Sequence, residues 1–158
     1  MRICGRRWGR RATGFTAIEL MIVMLIAAIL VAILLPGYSQ YRERQRVSQA
    51  TQELVVMGTV IKNFQLDHNR YPNDLSEVQL ANQVDPWGRR YEYLNISDAS
   101  NSGKARKRKN LTPINSDFDL YSAGRDGESK APLSNPVSRD DVIRANDGRY
   151  HGLASEFE

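Results

Sequence analysis

Thiols are nearly absent: the 158 residues contain one cysteine, Cys4. A disulfide framework is excluded, and thiol chemistry goes too if the first residues are removed. No small-residue lipidation motif surrounds Cys4. Histidine is almost as scarce, with His68 and His151 alone, both in polar surroundings. No nucleophile elbow, phosphate-binding glycine loop or cysteine–histidine pair is present, so the sequence reads as non-enzymatic. Acid is missing from residues 1–14, which carry five arginines: Arg2, Arg6, Arg7, Arg10 and Arg11. Charge of either sign is missing from residues 15–35, except at Glu19.

Those gaps define what is there. Twenty-one residues with one charge are long enough to cross a bilayer as a helix. The mean hydropathy of −0.49 conceals that span because the remainder is polar. The isoelectric point of about 9.4 belongs largely to the leader. Without residues 1–14 the chain has 17 basic and 18 acidic residues. It is therefore no argument for a nucleic-acid partner. Basic residues beside a span hold that side in the cytoplasm, which places the C-terminal part across the membrane.

The order of these segments is informative. In a secretory signal the cleavage site follows the apolar run. Here Gly14 precedes it, so a cut after Gly14 leaves the span on the mature protein and creates a new amine on Phe15. The alternative is an uncleaved anchor, with Gly14 a plain helix-start residue. Glu19 speaks against that alternative, because a carboxylate within a span is costly and calls for a partner. The Phe15 amine is such a partner, with a neighbouring subunit's amine better placed than the chain's own.

The stretch GFTAIELMIVMLIAAILVAILLPGYSQY resembles the class III signal of type IV pilins and type II secretion pseudopilins. Gly14, Phe15, Thr16, Ile18 and Glu19 match it, and Ala17 replaces the commoner leucine. The resemblance implies that a prepilin peptidase cuts after Gly14 and methylates the amine of Phe15. It implies that Glu19 recruits and registers subunits in a helical filament. Further blocks, NRYP, DPWG followed by RY, and DLYSAGRDGE with a later DD, resemble the major pseudopilin of type II secretion. That family implies a single-pass protein of the bacterial inner membrane with its C-terminal domain in the periplasm. It implies self-assembly into a pseudopilus, with minor pseudopilins and an assembly platform driven by a cytoplasmic ATPase as partners. The other reading, a type IV pilin or minor pilin in adhesion, motility or DNA uptake, stays open.

The expected fold is α+β: a long helix over 15–66, with a membrane half (15–35) and an amphipathic half (36–66), followed by a globular region (67–158). Pro36-Gly37 is a candidate kink. Val47, Ala50, Leu54, Met57, Ile61 and Phe64 recur at steps of three and four and form one apolar face. That face is read as domain core, with a coiled coil as the alternative. Asn73 or Asp74 is expected to cap a short helix through Leu80. Strands are expected in YEYLNI, in FDLYSAG and over 149–153, with DPWG a turn.

In the resembled family the C-terminal loop binds calcium. The carry-over assigns ligands to Asp126, Asp140 and Asp141, with backbone carbonyls over 120–123 and before Asp140. Read from the residues alone, Asp126-Gly127 is a plain turn and Asp140-Asp141 a solvated pair. The sequence departs from the family at ESKAPLSNPVSR, a lengthened loop between Asp126 and Asp140, and in the tail, where Asp147 offers one more carboxylate. The run KARKRK (104–109) invites a phosphate reading. No aromatic interleaves it, and it is expected as a solvated hairpin loop rather than a nucleic-acid site.

Overall fold

The computed structural model describes residues 14–108 and 113–157. The leader, with Cys4 and its arginines, and Lys109 at the end of the basic run lie outside the described residues. The chain divides into two compact units, Met1–Tyr41 and Arg42–Glu158.

Helix α1 spans Ala17–His68, fifty-two residues, and belongs to both units. Pro36 does not end it. In the first unit its apolar side chains point outward all round, with Ile18, Met21, Met24 and Ile33 among the exposed ones. Such a helix has no polar face to give to water and is long and apolar enough to cross a membrane.

In the second unit the same helix becomes one-sided. Ala50, Leu54, Met57 and Ile61 are buried, Val47 is partly buried, while Val55 and Val56 stay exposed. The heptad-like face is therefore core. It meets Tyr91, Phe118, Leu120 and Val142, with Leu75 closing one end. Polar contacts tie this half of the helix to the loops. Tyr91 Oη donates to Glu53 Oε2 at 2.6 Å, Trp87 Nε1 to Glu43 Oε1 at 3.2 Å, and Lys62 Nζ to the Asp147 carbonyl at 3.0 Å.

The sheet has four strands: β1 Glu92–Asn95, β2 Phe118–Ser122, β3 Val142–Ala145 and β4 Tyr150–Leu153. They lie in chain order and all neighbours are antiparallel. Strand side chains alternate between faces. Phe118, Leu120 and Val142 face the helix, while Ile143 and Ala145 meet Ile114, Leu133 and Ala154 on the other side. β3 is buried along its whole length because both its faces are covered.

Three expected features change. The helix predicted up to Leu80 is a run of turns: Asp74 Oδ1 takes the Ser76 N–H at 2.6 Å, and Gln79, at φ +59°, reverses the chain. Strand β3 was not expected, since VIRA carries an arginine where a buried strand normally shows only apolar residues. The basic run is not a solvated loop: Ala105 and Arg106 are buried, the latter 3% exposed.

Candidate functional site

The start of α1 carries the first site. Glu19 stands three residues after Thr16, and the two form a reciprocal cap. The Thr16 N–H donates to Glu19 Oε2 at 2.7 Å, and Thr16 Oγ1 donates to the same oxygen at 2.8 Å. The Glu19 N–H returns a bond to Thr16 Oγ1 at 3.3 Å. This is the S/T-x-x-E capping box, which satisfies helix-end donors that have no intrahelical acceptor. Glu19 is expected from the sequence as a charge that calls for an amine, and Thr16 as a residue of the signal, with no capping role. The spacing T-x-x-E was the signal that would have found it. Phe15 and Gly14 precede the cap and are exposed.

The second site lies where the pseudopilin-like blocks meet. Asp85, the first residue of DPWG, is buried. Its Oδ1 accepts the Trp87 and Arg89 N–H groups at 3.0 and 2.9 Å, which closes the turn. Its Oδ2 accepts from Ser122 Oγ at 2.5 Å, which joins that turn to the end of β2. Arg89 then donates to the Gly124 and Arg125 carbonyls at 2.6 and 3.1 Å. Gly124 sits at φ +62°, and a Cβ there would fall 2.2 Å from the Asp140 carbonyl oxygen. Only glycine admits that approach and that φ without strain.

The three predicted calcium ligands sit around this turn but do not share a centre. Asp126 Oδ1 accepts from the Glu128 N–H at 2.8 Å, a local turn. Asp140 Oδ2 accepts from the Arg125 and Asp126 N–H groups at 2.9 and 3.0 Å. Asp141 is fully buried and pairs with the Arg106 guanidinium and with Ser129 Oγ, the latter at 2.7 Å. Several neighbouring carbonyls are also engaged: Ala123 takes the Gly127 N–H, and Arg139 takes the Ser155 N–H. No group of three carboxylate, histidine or cysteine side chains among the described residues is placed to hold a metal. Asp141 Oδ1 is buried without a hydrogen-bond partner, but it is one oxygen, whereas calcium takes six to eight. The arrangement does not fit a calcium ion.

Two buried ion pairs were invisible in the sequence. Besides Arg106–Asp141, Arg144 Nη2 donates to Asp117 Oδ2 at 2.6 Å and Nη1 to Asp117 Oδ1 at 2.8 Å, a two-pronged pair. Arg144 also lies over the Phe118 ring at 3.9 Å, directly below Gly58 of α1. On the opposite face Asp119 Oδ2 takes the Arg106 N–H at 2.6 Å, and Asn115 Nδ2 donates to Oδ1 at 2.9 Å. Burial pushes the Asp119 and Asp141 carboxyls up, against the pull of these donors and of the Arg106 charge. Burial also raises Asp147, but the Ser116 N–H and hydroxyl outweigh it and hold that carboxyl below its usual range. His151 is pushed down by burial and by the charges of Arg144 and Lys62.

Known proteins resemble most of this chain in sequence. The chain is 30% identical to the fimbrial protein of Neisseria meningitidis serogroup A over 142 residues, which covers 85% of this chain and 79% of that protein. It is 29% identical to the type IV major pilin protein PilE of Neisseria gonorrhoeae, over 86% of each chain. It is 27% identical to the type II secretion system core protein G of Klebsiella pneumoniae, over 84% of this chain and 94% of that protein. No family model matches the chain, and no solved structure matches it.

Proposed function

The chain belongs to the family of type IV pilins and type II secretion pseudopilins, and on that premise we propose that it is the building block of a type II secretion pseudopilus. It is a structural subunit and not an enzyme. A prepilin peptidase cuts after Gly14 and methylates the Phe15 amine. The leader arginines keep the N-terminus cytoplasmic, so the second unit lies in the periplasm. Subunits then leave the bilayer and bury their apolar helices against one another, with Glu19 setting the register. Minor pseudopilins, an assembly platform and a cytoplasmic ATPase are the partners this role requires.

The observation that carries the filament reading is the first half of α1, apolar and exposed on every side, behind a capped and accessible start. Surface of that kind demands either lipid or other helices. The choice of secretion over a pilus is supported by the blocks locked together through Asp85, Ser122 and Arg89. The match to core protein G, which takes in 94% of that protein, supports it as well. The pilus reading draws on the higher identity to the fimbrial protein.

Two measurements test this. The chain is expressed with and without a prepilin peptidase, and the membrane-extracted product is weighed intact. A mass for residues 15–158 plus one methyl group, seen only with the peptidase, is expected; a cut after the apolar run overturns the filament reading. The gene is then deleted in its host. Loss of protein export with surface pili intact is expected, and the reverse result assigns the subunit to a pilus.

A further inference from the structure

The basic run and the lengthened loop are bound to each other. Lys107 N donates to the Ala131 carbonyl at 2.9 Å, and Leu133 N donates to the Lys107 carbonyl at 2.9 Å. Lys107 thus forms a parallel bridge with Pro132. This places Arg106 beneath the loop, where its guanidinium meets Asp141 and donates to Ser129 Oγ at 2.7 Å. Ser129 Oγ in turn donates to the same Asp141 oxygen at 2.7 Å. The guanidinium lies 3.9 Å over the Tyr121 ring. One side chain therefore joins the segment after β1, strand β2, the long loop and the start of β3.

We infer that Arg106 is a built-in cation that organises the C-terminal loop of this chain in place of a divalent metal ion. This holds whether the filament serves secretion or a pilus.

A guanidinium is protonated at every ordinary pH and presents its donors in a planar fork, so it supplies a fixed charge with direction. A divalent ion beside it would meet that charge at close range, in a buried place where repulsion is poorly screened. The other two carboxylates each commit one oxygen to the backbone, Asp140 Oδ2 to the Arg125 and Asp126 N–H groups and Asp126 Oδ1 to the Glu128 N–H. The lengthened loop carries one acid, Glu128, and residues 129–139 contain none. What it adds is Ser129, which shares Asp141 with Arg106, and the 131–133 backbone that clasps Lys107.

The test uses the peptidase-processed full-length chain in detergent. Thermal unfolding is followed in excess calcium and in excess EGTA. A structural site filled to about a hundred times its dissociation constant would raise the midpoint by roughly 5–10 °C. The expected result is the same midpoint in both, with no saturable calcium uptake in equilibrium dialysis. Removing one partner of a buried pair strands the other, so Arg106→Met should lower the midpoint on the order of 10 °C, in calcium and EGTA alike. Arg106→Lys should recover part of that, since it restores charge without fork or stacking face. A wild-type midpoint that falls in EGTA, or one ion bound per chain, overturns the inference. So does an Arg106→Met variant with an unchanged midpoint. If that variant does not fold, the wild-type calcium comparison decides alone.

Discussion

Glu19 has two separable jobs, and its chemistry allows them to be pulled apart. It closes the helix start through Thr16, and it carries a charge into an apolar stretch. A glutamine retains an acceptor oxygen for the Thr16 N–H and hydroxyl but has no charge. Glu19→Gln is therefore expected to keep the first turn of α1 protected from amide exchange and yet fail to enter filaments. Thr16→Ala should do the opposite, fraying that turn while still being incorporated at reduced yield. Amide exchange on detergent-held subunits, alongside a count of sheared filaments, checks both. Filaments of normal yield from Glu19→Gln would show that capping is all this residue does. His151 offers a titration at the same scale. Its pKa is depressed in the folded protein, so the unfolded chain binds the proton more readily. The stability it contributes is present above its ordinary value of about 6.5 and is lost as pH falls through the lower folded value. Asp119 and Asp141, with raised values, act in the opposite sense, but they are common to the wild type and a His151→Gln variant. The wild-type midpoint minus that of the variant should thus shrink between pH 7 and pH 5, by thermal unfolding at matched ionic strength. A difference that does not change with pH would remove His151 from the account.

At the scale of elements, the turn after β2 is held from both sides. Arg89 grips the Gly124 and Arg125 carbonyls, and Asp140 takes the N–H groups of residues 125 and 126. Gly124 has nowhere to put a side chain, because the obstacle is backbone at 2.2 Å. Gly124→Ala is therefore expected to cost about 4 kcal/mol or more, seen as loss of cooperative unfolding or of soluble protein. Gly88, also at positive φ but with open space around it, is the control: Gly88→Ala carries the conformational penalty alone, about 1 kcal/mol. Equal effects at the two positions would mean the contact with Asp140 is not what fixes the turn. Helix α1 shows the same logic in apolar form. Leu54 is fully buried and Val55 beside it is not. Leu54→Ala should cost about 2–5 kcal/mol in denaturant unfolding, and Val55→Ala well under 1.

At the scale of the molecule, the chain has a first unit whose described residues form no buried core and a second with two apolar clusters around a sheet. The second unit contains its own helix segment, all four strands and both buried ion pairs. Residues 42–158 expressed alone are expected to be monomeric without detergent and to unfold in one cooperative step. The processed full-length chain should need detergent or partner subunits to stay in solution. Size exclusion with light scattering, with and without detergent, measures both. Aggregation of the 42–158 fragment would mean that its fold depends on residues before Arg42.

Much of this was legible in the residues, and the boundary has a physical cause. The membrane-length run, the lone Glu19 and the glycine before it are local facts of composition and order. The core face of α1 follows from spacing, because helix geometry brings residues three and four apart onto one side. Strands β1, β2 and β4 announced themselves through alternation or turn residues. β3 did not, because its arginine suits a solvent face until Asp117 and Phe118 are placed around it. The same holds for KARKRK and for the aspartates 140 and 141. A charge is exposed, paired or bound to a metal according to which opposite charge lies within a few ångströms, and residues thirty-five positions apart in the chain set that distance. Sequence alone determined that this is a pilin-like subunit with a membrane-length helix on an α+β domain. Only the tertiary structure decided that Arg106 stands against Asp141, because burial and pairing are properties of neighbours in space.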